Sequence, residues 1–333
     1  MQAMVLCRSD DVARHPLELR RVPDPAPGPG QVLVRVRVCG VCRTDLHVVE
    51  GELPDIKPEV VPGHEIVGVL EQLGPGVSGL RSGDRVGVAW LQETCGRCEY
   101  CNSSQENLCQ GARFTGYQVG GGYAEYVVAN ARYVYPIPSA FTDEEAAPLL
   151  CAGIIGYRAL RLSGIRSGQR LGLYGFGASA HIAIQVARHW GCSVYVCSLK
   201  EEHRALAREL GAVWVGEAAA MPPETLQASI IFAPAGELVP PALRALARGG
   251  TLVLAGIHMS PIPSLDYDRE VFGERVIRSV TANTRQDGLD LLREAAAIPI
   301  HTHTEPFQLA EANEALRSLK AGTIRGAAVL RVT

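Results

Sequence analysis

The stretch RLGLYGFGASAHIAIQVARHW, residues 170 to 190, restricts the fold of this chain more than any other. A short apolar segment passes through Gly175, Phe176, Gly177, Ala178, Ser179 and Ala180 into an amphipathic one, which is the order strand, turn, helix. Each small residue in a G-x-G-x-x-A turn has a physical purpose. Gly175 permits the tight turn, Gly177 lets the backbone approach a pyrophosphate, and Ala180 lets the helix lie close on the strand. The anion would rest on the free N–H groups of the helix N-terminus. An ordinary glycine turn remains the alternative, but a position between strand and helix favours a dinucleotide site.

The segments downstream continue the alternation. SVYVCS, SIIFA, TLVLAGI and VIRSVTAN read as strands, and EEHRALAREL as a helix stopped by Gly211, which together imply a parallel sheet covered on both faces. Residues 1 to about 140 have another rhythm. QVLVRVRVCG, EIVGVLEQLG, DRVGVAW and GGYAEYVVANARYVYPIP are short β-branched runs cut by Gly and Pro, the pattern of a mostly β domain, a partly open barrel. Pro23, Pro25, Pro27 and Pro29 form a loop entering the strand at Val32. A helix at LAEANEALRSLKAG and a strand at IRGAAVLRV end the chain and can return to the first domain. A length of 333 residues suits two such domains, each with its own core.

In NAD-preferring sites of this type an Asp or Glu about 20 residues beyond the turn binds the ribose. Here Ser198 stands at that place, so no carboxylate repels a 2′-phosphate, and Lys200 or Arg204 can attract one. NADP is therefore favoured without excluding NAD.

The net charge of -3 gives no basic footprint for nucleic acid. MQAMVLCRSDD does not read as a secretory signal, and no apolar run approaches the roughly 20 residues needed to span a bilayer. The expectation is a cytoplasmic protein without a membrane partner, whose ten cysteines sit where disulfides are rare.

Four of them, Cys95, Cys98, Cys101 and Cys109, crowd into TCGRCEYCNSSQENLCQ. The reducing setting disfavours a disulfide knot, and a redox pair needs only one C-x-x-C in a thioredoxin-like context. An iron–sulfur cluster uses the same ligands. Four thiolates in one short loop best match a closed structural zinc site, with no position left for substrate. A second set is dispersed: Cys42, Thr44, Asp45 and His47 in CRTDLH, His64 and Glu65 in PGHEIVG, and Cys151 in APLLCAGIIGY. Taken singly, each is an ordinary core or turn residue. Together they include Cys, His and Cys, the three-ligand set of a catalytic zinc with an open fourth position.

In this combination the chain resembles the zinc-dependent medium-chain alcohol dehydrogenases over essentially its whole length. The resemblance is carried by CRTDLH at 42 to 47, GHE at 63 to 65, the four-cysteine loop, Cys151, GFGASA and IRG at 324 to 326. It implies an α/β protein with a GroES-like, mostly β catalytic domain at 1–147, completed by 284–333, and a doubly wound Rossmann domain at 148–283. It also implies two zinc ions per chain. Cys42, His64 and Cys151 would hold the catalytic ion, with Glu65 an occasional or more distant ligand.

By the same resemblance, Thr44 would take the alcohol proton, and the cofactor ribose and His47 would pass it to solvent, an imidazole being suited to that near neutral pH. Asp45 would orient the His64 ring, and Arg325 would pair with the cofactor pyrophosphate. Val49, Trp90 and Leu91 would line the substrate pocket, whose apolar wall favours primary aliphatic or aromatic alcohols and their aldehydes. A homodimer or homotetramer is expected. The alternatives are a zinc-dependent dehydrogenase of polyols or amino alcohols and, outside enzymes, a zinc-stabilised binding module on an inactive dehydrogenase fold. Cys7, Cys39, Cys192 and Cys197 have no assigned role.

Overall fold

The computed structural model describes residues 1 to 332 apart from Asp55, Pro58 and Pro299. The chain forms two compact units, one of residues 1–151, 282–296 and 301–333, the other of residues 152–281 and 297–300.

The first unit is organised by one long strand, β1 (Gln31–Val41), whose β-branched residues Val32, Val34 and Val36 have no exposed surface. On one side it pairs antiparallel with β2 (Glu65–Leu73). On the other side its first half pairs with Tyr126–Asn130 and its second half with Ala327–Arg331, so the end of the chain completes the sheet. Thr304–Gln308 lies at one edge, and Arg85–Val88 and Val134–Pro136 extend the other, giving seven strands. Register shifts against β2 at Leu33/Val34 and Val36/Val38 bend β1, as bulges do, and curl the sheet around its valine core. A short helix, α1 (Arg43–Val49), follows β1 directly. Two further short strands, β3 (Leu91–Glu93) and β4 (Arg113–Phe114), form a separate antiparallel ribbon whose two ends are joined through the four-cysteine loop.

The second unit holds six parallel strands: β5 (Arg170–Tyr174), β6 (Ser193–Cys197), β7 (Trp214–Gly216), β8 (Leu226–Ile231), β9 (Leu246–Leu254) and β10 (Val276–Ser279). Their order is β7-β6-β5-β8-β9-β10, the doubly wound arrangement, whose direction of winding reverses between β5 and β8. Ligands bind such sheets at the carboxyl ends of the strands flanking that reversal. Helices α2 (Ala152–Ser163), α3 (Ala178–His189) and α4 (Glu201–Glu209) belong to this unit. Added Cβ atoms show how closely α2 and α3 pack: one at Gly156 would lie 2.9 Å from the Ser179 carbonyl oxygen. α4 ends as its sequence suggests, with Gly211 in the left-handed region at φ +86°. Among the described residues no helix is long and apolar enough to cross a membrane.

Candidate active site

The dispersed set comes together inside the first unit. Cys42 stands where β1 gives way to α1, His64 and Glu65 where β2 begins, and Cys151 just after the 3-10 turn Ala147–Leu150. Their ligand atoms all lie within 4.8 Å of one another. The Cys42 and Cys151 sulfurs are 3.7 Å apart. Two thiolates on a tetrahedral zinc with bonds of about 2.3 Å would be separated by about 3.8 Å. A hydrogen bond from the Cys151 thiol, helped by His64, holds the Cys42 thiol well below its usual range, and the same contact pushes Cys151 up. The pair favours one thiolate, and a bound cation would displace the remaining proton.

His64 is fully buried, and its two ring nitrogens have different surroundings. Nδ1 lies 2.8 Å from Asp45 Oδ1, whereas Nε2 is buried without a hydrogen-bond partner. Left uncompensated, that atom would carry a desolvation cost of about 1–3 kcal/mol. A ring nitrogen beside two sulfurs, with a carboxylate on the other nitrogen, is the arrangement of a metal-binding imidazole. The residues thus fit a zinc ion on the chemistry of their donors and on this orphaned nitrogen.

Asp45 binds the two segments to each other. Its carboxylate, 1% exposed, accepts from the Cys42 N–H at 2.9 Å, the Gly63 N–H at 3.1 Å and the Tyr123 hydroxyl at 3.3 Å, besides the His64 ring. Glu65 is also buried and lies across Gly40, its register partner on β1. A Cβ on Gly40 would meet Glu65 Oε2 at 1.8 Å, so the strand needs glycine there to admit the carboxylate. Thr44 is buried beside Cys42, with its hydroxyl 3.8 Å from the sulfur. His47 lies farther along α1, is partly exposed, and meets Glu52 through Nδ1.

Trp90 packs edge-on against the His64 ring, with centroids 4.9 Å apart, and stacks on Phe114 at 5.0 Å and Tyr117 at 5.9 Å. Trp90, one of the three residues expected to line a pocket, thus lies beside this cluster. Val49 and Leu91 have no exposed surface, and Val49 packs within the valine-rich core.

The loop between β3 and β4 gathers its four cysteines with their sulfurs within 4.8 Å. Cys98 and Cys101 are 3.5 Å apart, Cys95 and Cys101 3.9 Å, and none is in a disulfide. Backbone N–H groups of Arg97 and Cys98 aim at the Cys95 sulfur and hold its thiol down to about 6. Although the Cys101 backbone N–H lowers it, burial and its sulfur neighbours push the Cys98 thiol up to about 11, so a bound metal would have to displace protons from some of the loop's four sulfur donors.

In the second unit, Gly175 follows β5 at φ +85°, and a Cβ there would lie 3.0 Å from Ala233. Gly177 caps α3 with open space where a side chain would stand, Ala178 begins the helix, and Phe176 and Ala180 are buried. Ser179 continues its first turn. Ser198, at the end of β6, is buried with its hydroxyl 3.3 Å from His203 Nδ1. Lys200 is exposed at the start of α4. Arg204 is engaged by the Ser198 carbonyl at 2.8 Å and the Glu201 carboxylate at 2.8 Å. Arg325 is exposed on the turn before Ala327–Arg331.

Sequence reasoning had not singled out Glu52, Tyr123 or Glu106. Glu106 is buried and accepts from both the backbone and the side chain of Arg285, tying the cysteine loop to the returning part of the chain. Tyr123 and Glu106 carry no local signal, because their partners lie 78 and 179 residues away.

Residues 28–139 match the alcohol dehydrogenase GroES-like domain, and residues 180–297 match the zinc-binding dehydrogenase family. The chain is 48% identical to a probable alcohol dehydrogenase of Mycobacterium tuberculosis, covering 100% of this chain and 97% of that protein. It is 40% identical to an alcohol dehydrogenase of Geobacillus stearothermophilus, over 96% of this chain and 97% of the other. A thermostable alcohol dehydrogenase structure from Pyrobaculum aerophilum superposes with a TM-score of 0.90 at 27% identity, covering 100% and 99% of the two chains. With a GroES-like domain, a Rossmann sheet and full-length relatives of this kind, the chain belongs to the zinc-binding alcohol dehydrogenases of the medium-chain dehydrogenase/reductase family, oxidoreductases that use zinc and a nicotinamide cofactor.

Proposed function

We propose that Cys42, His64 and Cys151 hold the catalytic zinc, that Glu65 stands by as an occasional ligand, and that Cys95, Cys98, Cys101 and Cys109 hold a second, structural zinc. The observation that carries this reading is the buried His64 Nε2, left without a partner beside two sulfurs while Asp45 fixes the opposite side of the ring. When bound, the catalytic ion supplies Lewis-acid polarisation of the substrate oxygen, and the nicotinamide accepts or returns the hydride. The chain's own residues set the geometry and handle the proton. Asp45 orients His64, Thr44 takes the proton of the substrate hydroxyl, and His47 delivers it toward solvent.

The substrates in this reading are primary aliphatic or aromatic alcohols and the corresponding aldehydes. Support comes from the Trp90–Phe114–Tyr117 stack beside His64, an apolar wall against which a polyol would leave hydroxyls unpaired. The cofactor lean is to NADP. Ser198 supplies no carboxylate at the ribose position, and Lys200 and Arg204, near the start of α4, are cations that can attract a 2′-phosphate.

A homodimer or homotetramer is supported by the edge strand β10, whose four residues are all exposed beside exposed Tyr267 and Phe272. Ten cysteines without a disulfide suit a cytoplasmic setting. Metal analysis is expected to give two zinc ions per chain. A panel of alcohols, aldehydes, polyols and both cofactors, read by nicotinamide absorbance, tests the substrate and cofactor readings: turnover confined to polyols or to NAD overturns the corresponding assignment.

A further inference from the structure

α1 ends in a way that brings a second ionisable group onto His47. Gly51 takes the left-handed conformation at φ +77°, its N–H returns to the Val48 carbonyl at 3.2 Å, and the Glu52 N–H returns to the His47 carbonyl at 2.9 Å. These are the paired bonds of a Schellman ending, in which the second residue past the cap folds back over the last turn. The residue folded back is Glu52, and its carboxylate meets Nδ1 of the His47 ring. Glu50, at the cap itself, is turned elsewhere, toward Lys320 at 2.7 Å and the Val12 N–H at 3.0 Å. A left-handed glycine, a backbone bond and a side-chain bond thus join the same two residues.

We propose that Glu52 is a positioning residue for the proton route, acting through His47. An ionised carboxylate only accepts hydrogen bonds, so it requires the proton of a neutral His47 ring to sit on Nδ1. Nε2 is then the lone-pair nitrogen, ready to take up a proton released from substrate. When Nε2 is protonated, the resulting imidazolium is balanced by the Glu52 carboxylate until one proton passes to water and restores the neutral ring. Glu52 is 52% exposed and His47 15%, so the pair lies where such a proton reaches bulk solvent. The inference rests on His47 belonging to the proton route proposed above.

The test uses the zinc-loaded protein and three variants: Glu52→Ala, His47→Asn and the double variant. In single-turnover alcohol oxidation, Glu52→Ala is expected to slow the step on the order of tenfold with KM nearly unchanged, less than the 10²–10⁴-fold of a complete general base. The double variant should be no slower than His47→Asn alone, since the carboxylate acts through the ring. Nitrogen NMR of the His47 ring should show the Nδ1–H form in the parent protein and a shift toward the Nε2–H form in Glu52→Ala. A parent ring protonated on Nε2 overturns the inference, as do multiplying effects in the double variant. If His47→Asn slows the step and Glu52→Ala does not, Glu52 is excluded and the route stands. If His47→Asn changes nothing, the route itself falls.

Discussion

Replacing Asp45 by Asn removes one charge and almost no volume, and the surroundings allow its cost to be worked out. One carboxylate oxygen faces two donors, the Gly63 N–H and the His64 ring; the other faces the Cys42 N–H and the Tyr123 hydroxyl. An amide has one acceptor oxygen, so whichever way it is turned its NH₂ confronts one of these pairs. The cheaper orientation points NH₂ at Tyr123, whose hydroxyl can rotate to accept, and leaves the Cys42 N–H orphaned at about 1–3 kcal/mol. The bonds from Gly63 and His64 fall from charged to neutral acceptors, at about 1 kcal/mol together or somewhat more. The sum is a loss of about 3 kcal/mol in stability. Because His64 is held less firmly, affinity at the Cys42–His64–Cys151 set should also fall, by about 10–100-fold for a change of this kind. Urea unfolding of the metal-free protein measures the first quantity, and zinc release to a chromogenic chelator the second. An Asp45→Asn protein with an unchanged unfolding midpoint and unchanged zinc release would refute the reasoning.

Cys42→Ser should abolish turnover with the fold intact, and Cys98→Ser should lower the thermal midpoint first; equal loss of activity with an intact fold in both would contradict the division between the two cysteine sets. Gly40→Ala should destabilise by at least the 1–3 kcal/mol typical of overpacking, because its Cβ would stand 1.8 Å from Glu65 Oε2, and chemical denaturation measures this. Ser198→Asp should shift the kcat/KM ratio toward NAD by placing a carboxylate at the ribose position, and a ratio that stays put would remove Ser198 from cofactor choice.

What was legible in the sequence depended on how local its cause is. The turn at Gly175 to Ala180 and the cysteines at 95 to 109 are written in neighbouring residues, and a strand-turn-helix or a ligand spacing needs no distant partner to be read. The strand-helix alternation implies a parallel sheet, but the strand order and the three-residue strand β7 are set by tertiary pairing that no local pattern shows. Cys42, His64 and Cys151 were legible only as a set, because each alone has an ordinary structural explanation. Tyr123 could not be found in this way, since its reach to Asp45 depends on the tertiary fold.

Glu52 is an intermediate case. A Gly at 51 after a short helix hints at a left-handed ending, yet the side chain's contact with His47 appears only once the chain has turned back. Arg204 is a second such case. Its charge suggests a phosphate partner, and the structure adds Glu201, three residues away and 2.8 Å from it, as a second partner not singled out from the sequence. The helix Arg285–Ala297 was unread, although Thr284 and Asp287 form its reciprocal cap, with bonds of 2.9 and 3.1 Å.

The two cysteine sets differ in how much chain must be ordered before each can take a metal. Cys95 and Cys109 are 14 residues apart, whereas Cys42 and Cys151 are 109 apart. Closing the longer loop costs about 2 kcal/mol more in chain entropy alone. It also requires Asp45 to have joined Cys42 to Gly63 and His64. The compact loop is therefore the one able to capture zinc from a nascent or partly unfolded chain, and the dispersed set is filled only when the surrounding sheet is in place. If both sets take zinc as proposed, the first ion taken up in a refolding experiment is expected to report a local event and the second the native order of the whole catalytic unit.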